Sequence, residues 1–176
     1  MRIRAAITVA LAALAVAVLM AMPAFAAKGG TEHPWQSAGT QSGTFTFKAG
    51  PPEVFKFDIV GPFTGSPLGK GTERTYSTAS GKDRTIYTVA NGDKLYATGL
   101  GEASSPNKGI VCPVPTHGAT LAPWYGWQAT SETMIIEGGT GRFKTATGKL
   151  VSRGCLYFLS EKTWMVTYSE KGTLTY

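Results

Sequence analysis

Hydrophobic positions follow one pattern at the start of the chain and a different one afterwards. Residues 5–22 form an almost unbroken apolar run that follows two arginines and precedes the triplet Ala24-Phe25-Ala26. A positive end, an apolar middle and an A-x-A triplet are the order of a secretory signal peptide. We therefore expect residues 1–26 to be a cleaved signal peptide. The competing interpretation is an uncleaved anchor, since the run is long enough to cross a bilayer.

Beyond residue 26 the apolar positions recur every second residue, which is the period of a β-strand. Phe55, Phe57 and Ile59 fall on one face of a predicted strand, and glycine and proline residues break the chain just before it. Many short strands with glycine turns and no convincing helix indicate an all-β domain, a barrel or a sandwich, with eight or nine strands. The predicted strands are 44–48, 53–60, 69–77, two in 85–98, 127–137, 149–159, 163–169 and a short one ending at Tyr176.

The clearest local signal is a hairpin within residues 85–98, where two alternating runs flank Asn91-Gly92. This pair suits the positive φ angles of a two-residue turn. Such a turn would pair Tyr87 with Tyr96, placing the tyrosines on one face and the aliphatic side chains on the other. Either face could be the inner one.

Cys112 and Cys155 are the only cysteines. In an exported protein an even pair predicts a disulfide, which would stabilise the fold by roughly 4 kcal/mol. The alternative is a metal site formed by both cysteines and His117, but no fourth ligand is evident and the spacing matches no common zinc pattern. The other histidine, His33, is expected in a tail. We predict neither a metal nor a cofactor.

Length and charge narrow the protein class. The roughly 150 residues from 27 to 176 suit a single domain, and they contain no apolar run that could span a membrane as a helix. The formal charge of +6 is scattered, without the basic stripe of a nucleic-acid binder. We expect a periplasmic or extracellular protein that binds neither nucleic acid nor membrane. Residues 104–126, which hold four prolines, are predicted to be a long loop, either a binding lid or a plain insertion.

Residues 135–148 are rich in glycine, which predicts a reversal of the chain direction. Gly138, Gly139 and Gly141 suit backbone with positive φ, and Phe143 can plug the end of a core. With these residues and the Ala-Asn-Gly-Asp turn at 90–93, the chain resembles the allene oxide cyclase and dirigent barrel superfamily. It is most similar to small exported bacterial proteins of that group.

The resemblance implies an eight-stranded antiparallel β-barrel with a largely apolar central cavity, of the allene oxide cyclase or calycin-like kind. It also implies that a homo-oligomer can form, because the plant members are often trimeric. The glycine corner of that group is structural, so the resemblance brings a fold and no catalytic residue. The turn at 144–147 and the proline-rich stretch depart from the plant pattern.

Two sets of residues are candidates for a site. A charged side chain facing into a small barrel must be paired or functional, which singles out Glu132 and Arg74 as catalytic candidates. Glu73 and Arg74 point to opposite faces, so only one of them can lie inside. For each charge taken singly, a solvated outer face is the more common explanation. The candidate ligand-binding residues are aromatic, although packing would explain them too: Trp124, Tyr125 and Trp127 near the loop, with Trp164 and Tyr168 on one face of a late strand.

Three functions follow from these features. The first is binding of a small, mainly apolar molecule, the second is an isomerase or cyclase, and the third is an interaction module whose barrel is filled. A wide cavity holding a carboxyl group with a perturbed pKa favours the enzyme, and a wide uncharged one favours simple binding. A filled barrel favours the interaction module.

Overall fold

Eight antiparallel strands close into a barrel in which each strand pairs with its neighbours in sequence and the last pairs with the first. The computed structural model describes residues 30–48, 54–100, 110, 112 and 127–176. The predicted all-β, eight-stranded antiparallel barrel is thereby confirmed, whereas the predicted signal peptide at 1–26 lies outside the described residues. The strands are β1 (Glu32–Lys48), β2 (Val54–Ser66), β3 (Gly69–Ser77), β4 (Asp83–Val89), β5 (Lys94–Gly99), β6 (Trp127–Gly139), β7 (Thr147–Phe158) and β8 (Thr163–Thr175).

The longest strands depart most from the sequence prediction. β8 is continuous, where two separate strands were predicted, because its ladders with β1 and β7 both run on past Ser169. β1 begins at Glu32, so His33 lies in a strand that pairs with Leu174 and not in a tail. The His33 ring stacks on Tyr176 with a centroid separation of 4.8 Å.

The β4–β5 hairpin has a register one residue away from the predicted one. Tyr87 pairs with Leu95 and not with Tyr96. Of the turn residues, Gly92 has positive φ, and its amide donates to the Val89 carbonyl at 2.9 Å. A three-residue loop with its last residue in the left-handed region therefore replaces the two-residue turn. Residues that pair directly point to the same face of the sheet, so Tyr87 and Leu95 both face the core.

The hairpin turn and the glycine corner interlock at one end of the barrel, which we call the closed end. Asp93 accepts a hydrogen bond from the Arg142 amide at 3.4 Å, and Thr140 donates its amide to the Lys94 carbonyl at 2.7 Å. Gly141 has a φ of +53°, and a methyl group on it would lie 1.9 Å from an Asp93 carboxylate oxygen. The backbone in this corner therefore depends on glycine.

The remaining corner residues have different roles. Gly138 also has positive φ, but Gly139 does not, contrary to our expectation for all three glycines. Gly139 is needed for space, because a methyl group there would lie 2.0 Å from the Lys94 carbonyl oxygen. Phe143 ends a single 3-10 turn, Gly141–Phe143, and is fully buried beside Tyr176.

Apolar packing is concentrated in two clusters towards opposite ends of the barrel. The larger apolar cluster lies at the closed end and includes Tyr87, Leu95, Phe143, Leu150 and Leu174, all fully buried. A second cluster, formed mainly by aromatic rings, lies towards the opposite end of the barrel, which we call the mouth. It consists of Phe45, Ile59, Leu156 and Trp164, with Phe57, Phe158 and Val166 packed against them.

Cys112 and Cys155 form the predicted disulfide. The bond consumes both thiols, which removes the alternative metal site. Cys155 precedes the cavity-lining Leu156 on β7, and successive side chains of a strand point to opposite faces, so Cys155 faces outwards. There Ile110, Tyr157 and other apolar side chains pack against the disulfide. The disulfide thus ties the chain at residue 112 to the outer wall, and the predicted 104–126 loop is described only at residues 110 and 112. Within the described part of the chain, no helix is long and apolar enough to cross a membrane.

Candidate functional site

A cavity of about 770 Å³ occupies the half of the barrel between the closed-end core and the mouth. Its volume lies within the range of small-molecule pockets, which is roughly 300–1,000 Å³. The wall changes character with depth. Phe57, Phe158 and Trp164 line it near the mouth, and polar groups line the floor. At the rim it reaches the β3–β4 turn, residues 78–81.

Glu170 lies on the floor and is fully enclosed. Three donors surround its carboxyl group. Ser37 donates its hydroxyl to Oε2 at 2.6 Å, Trp35 donates its indole N–H to the same oxygen at 3.3 Å, and Tyr87 donates its hydroxyl to Oε1 at 2.7 Å. Hydrogen bonds to a carboxylate favour the ionised form, whereas burial opposes it. Burial dominates and raises the pKa of Glu170.

Glu73 is the second floor carboxyl group and is also buried, at 3% exposure. It accepts a hydrogen bond from the Tyr168 hydroxyl. Gly39 makes room for this contact, since a methyl group there would lie 2.3 Å from the Tyr168 hydroxyl oxygen. Burial, and then the nearby charge of Glu170, raise the pKa of Glu73 well above its usual value, which favours its protonated form.

Two further carboxyl groups, Glu132 on β6 and Asp83 at the start of β4, line the cavity nearer the mouth. β5 lies between these strands, and Gly99 on it leaves the space that both side chains use. A methyl group on Gly99 would lie 1.8 Å from Glu132 Oε1 and 3.2 Å from Asp83 Cβ. Glu132 Oε1 is buried and has no hydrogen-bond partner among the described residues.

The two mouth carboxyl groups titrate near neutral pH. Burial, reinforced by the charges of Asp83 and Glu170, raises the pKa of Glu132 to about 7. Burial alone raises the pKa of Asp83 to about 6. A carboxyl group with a pKa near the working pH can both donate and accept a proton, which is the property of a general acid–base group.

The two catalytic candidates from the sequence lie on opposite sides of the wall. Glu132 faces the cavity, together with Met134. Arg74 lies on the outer surface, where its Nε donates to Asp58 Oδ1 at 2.8 Å, so it does not reach the cavity. Of the adjacent pair, it is Glu73 that points inwards.

The aromatic candidates are only partly described. Trp164 and Tyr168 both line the cavity, as their shared strand face predicted. Trp124 and Tyr125 lie outside the described residues, and Trp127 is described only through its backbone, which pairs with Tyr157. Their proposed role in ligand binding stays a prediction.

Sequence reasoning missed Glu170 and Asp83. Glu170 shares a strand face with Trp164 and Tyr168, so it would have been found if the predicted strand had not ended at 169. Asp83 shares a face of β4 with the buried Tyr87 and Val89, but the predicted hairpin began at residue 85 and its inner face was left open.

No protein-family model matches this chain. In addition, no curated protein and no solved structure matches it significantly. The function is therefore inferred from the geometry and chemistry of the cavity.

Proposed function

We propose that this protein is an isomerase- or cyclase-type enzyme that takes a small, mainly apolar molecule into its barrel. One observation carries the proposal: Glu132, a carboxyl group with a pKa of about 7, faces a cavity large enough for a substrate. Carboxyl groups with strongly raised pKa values in a cleft are typical of acid–base sites.

The cavity supports this function over a purely structural barrel. Side chains fill the closed end, but about 770 Å³ stays open towards the mouth. A barrel that served only as an interaction module would be expected to be packed along its whole length. The aromatic wall near the mouth suits an apolar substrate body, and the polar groups below it suit a functional group that needs orientation.

Acid–base chemistry would use the two mouth carboxyl groups. Near neutral pH Asp83 is mostly ionised, and Glu132 is divided between its protonated and ionised forms. Neighbouring groups whose environments separate their pKa values can serve as acid and base in one reaction. In our proposal Glu132 donates a proton to a substrate heteroatom, and Asp83 accepts one from carbon or from a hydroxyl group.

Non-catalytic binding is the second candidate, because the floor carboxyl groups need no substrate to satisfy them. Glu170 already accepts three hydrogen bonds, and Glu73 accepts one from Tyr168. A floor built in this way can serve as a rigid, polar end for a ligand that undergoes no reaction.

Export and family membership are parts of the same proposal. The apolar run at 5–22 with its A-x-A triplet supports a signal peptide, and the disulfide suits an oxidising compartment. The closed antiparallel barrel is the architecture that the resemblance to the allene oxide cyclase and dirigent superfamily implies.

The test begins with native mass spectrometry of the mature protein purified from its exported compartment. A retained small molecule would identify the ligand, and the same spectrum would give the number of subunits. Incubating that molecule with fresh protein, with Glu132→Gln and with Arg74→Gln separates the two candidate functions. Arg74 is the matched control because it is charged but lies outside the barrel.

Enzymatic function predicts conversion that falls by roughly 10²–10⁴-fold in Glu132→Gln, the usual contribution of an acid–base group, and persists in Arg74→Gln. Binding without any conversion would favour the second candidate. Conversion at an unchanged rate in Glu132→Gln would contradict the assigned role of Glu132.

A further inference from the structure

The charged groups that line the cavity are almost all acidic. Four carboxyl groups face it, those of Glu73, Asp83, Glu132 and Glu170. Among the described residues that line it, the only basic side chain is Lys56, which is exposed at the rim. An acidic cleft with low-dielectric walls concentrates cations and repels anions.

One of these carboxyl groups carries an electrostatic cost that the described residues do not relieve. Glu132 Oε1 is buried without a hydrogen-bond partner among the described residues. A buried carboxylate is stable only when hydrogen-bonded or paired with an opposite charge. A positively charged ligand would supply that missing charge.

The aromatic wall suits the same kind of ligand. Phe57 and Trp164 pack edge to face with ring centroids 5.1 Å apart, and Phe158 lies 6.2 Å from Trp164. Aromatic rings attract cations through their faces and also cover apolar surface. The walls can therefore hold a hydrocarbon body while the carboxyl groups hold a positive end.

We infer that the molecule taken up by the cavity is an organic cation, a protonated amine with an apolar body, held with its nitrogen beside Glu132 and Asp83. The inference rests on the proposed small-molecule function and adds the charge of the ligand. The apolar body lies against the aromatic wall near Trp164.

Three probes of equal hydrocarbon length test it: a primary alkylamine, the corresponding alcohol and the corresponding carboxylate. Isothermal titration into the mature, disulfide-bonded protein near neutral pH gives the affinity of each. We expect the amine to bind at least about tenfold more tightly than the alcohol, which is 1.4 kcal/mol. The carboxylate should bind more weakly than the alcohol.

Substitutions test whether the mouth carboxyl groups cause the preference for the amine. Replacing both, with Glu132→Gln and Asp83→Asn, should weaken amine binding about tenfold or more and leave alcohol binding within about twofold. The control is Asp58→Asn, because Asp58 is a carboxylate on the outer face. That change should alter the affinity of neither probe.

The outcomes separate the two proposals. Alcohol binding that equals or exceeds amine binding overturns the inferred charge and leaves the small-molecule function standing. An amine preference that survives in the double variant overturns the assignment to Glu132 and Asp83. Failure of all three probes to bind overturns both the inferred charge and small-molecule binding by the cavity.

Discussion

The raised pKa of Glu132 predicts that the protein loses stability as the pH rises. The folded-state pKa is about 7, against an ordinary value of 4.5. Below pH 4.5 the group is protonated in both the folded and the unfolded chain, so it contributes no difference. Between these values the unfolded chain releases a proton that the folded protein retains, so the free energy of unfolding falls as the pH increases.

The size of the effect follows from the shift. One pKa unit corresponds to 1.36 kcal/mol, so the penalty above pH 7 is roughly 3 kcal/mol. Glu132→Gln keeps the shape of the side chain and cannot ionise. We therefore expect the variant to match the parent near about pH 4 and to be more stable by up to roughly 3 kcal/mol near about pH 8.

Urea unfolding followed by tryptophan fluorescence measures this difference across the pH range. Both cysteines are in the disulfide, so no free thiol can exchange with it at alkaline pH. Glu161→Gln is the matched control because Glu161 is exposed in the β7–β8 turn. A difference between Glu132→Gln and the parent that does not change with pH, or an equal effect in the control, would refute the reasoning.

Three other substitutions test the cavity floor, the disulfide and the closed end by the same unfolding measurement. Tyr168→Phe removes the donor to a buried carboxyl group and should lower the free energy of unfolding by roughly 1–3 kcal/mol. Tyr76→Phe on the outer face should change it by no more than about 0.5 kcal/mol, and equal losses would contradict a special role for the buried hydroxyl. Replacing Cys112 and Cys155 together by serine should cost about 4 kcal/mol, and an unchanged unfolding midpoint would show that the disulfide is dispensable. Gly141→Ala should cost about 2 kcal/mol or more, from its positive φ and the displaced hairpin carboxylate, and a neutral effect would refute the interlock.

Sequence reasoning succeeded where alternation and burial coincide. β3 has the predicted bounds, Gly69–Ser77, and Phe57 and Ile59 share the inner face as their spacing indicated. The reasoning was less successful for β1, because its inner face carries Ser37 and Gln41, both buried. A strand with polar side chains on its inner face has no hydrophobic period to detect.

The inward carboxyl groups were hard to predict for the same physical reason. A charged residue on a strand is normally solvated, so sequence favours an outer position for each one taken singly. In this barrel, several residues act together to bury a carboxyl group. Glu170 is buried because Trp35, Ser37 and Tyr87, contributed by two other strands, converge on it as donors. A network that joins β1, β4 and β8 exists only after the barrel closes, and no local pattern contains it.

The sequence motifs and the carboxyl groups of the proposed site lie towards opposite ends of the barrel. The turn at 90–93 and the corner that contains Gly141 meet at the closed end, where Asp93 holds them together. Glu132 and Asp83 lie towards the mouth, outside both motifs. β5 ends and β6 begins at the mouth, away from both motifs. The closed-end motifs therefore bear on the fold, and the proposed activity depends on the carboxyl groups of the cavity.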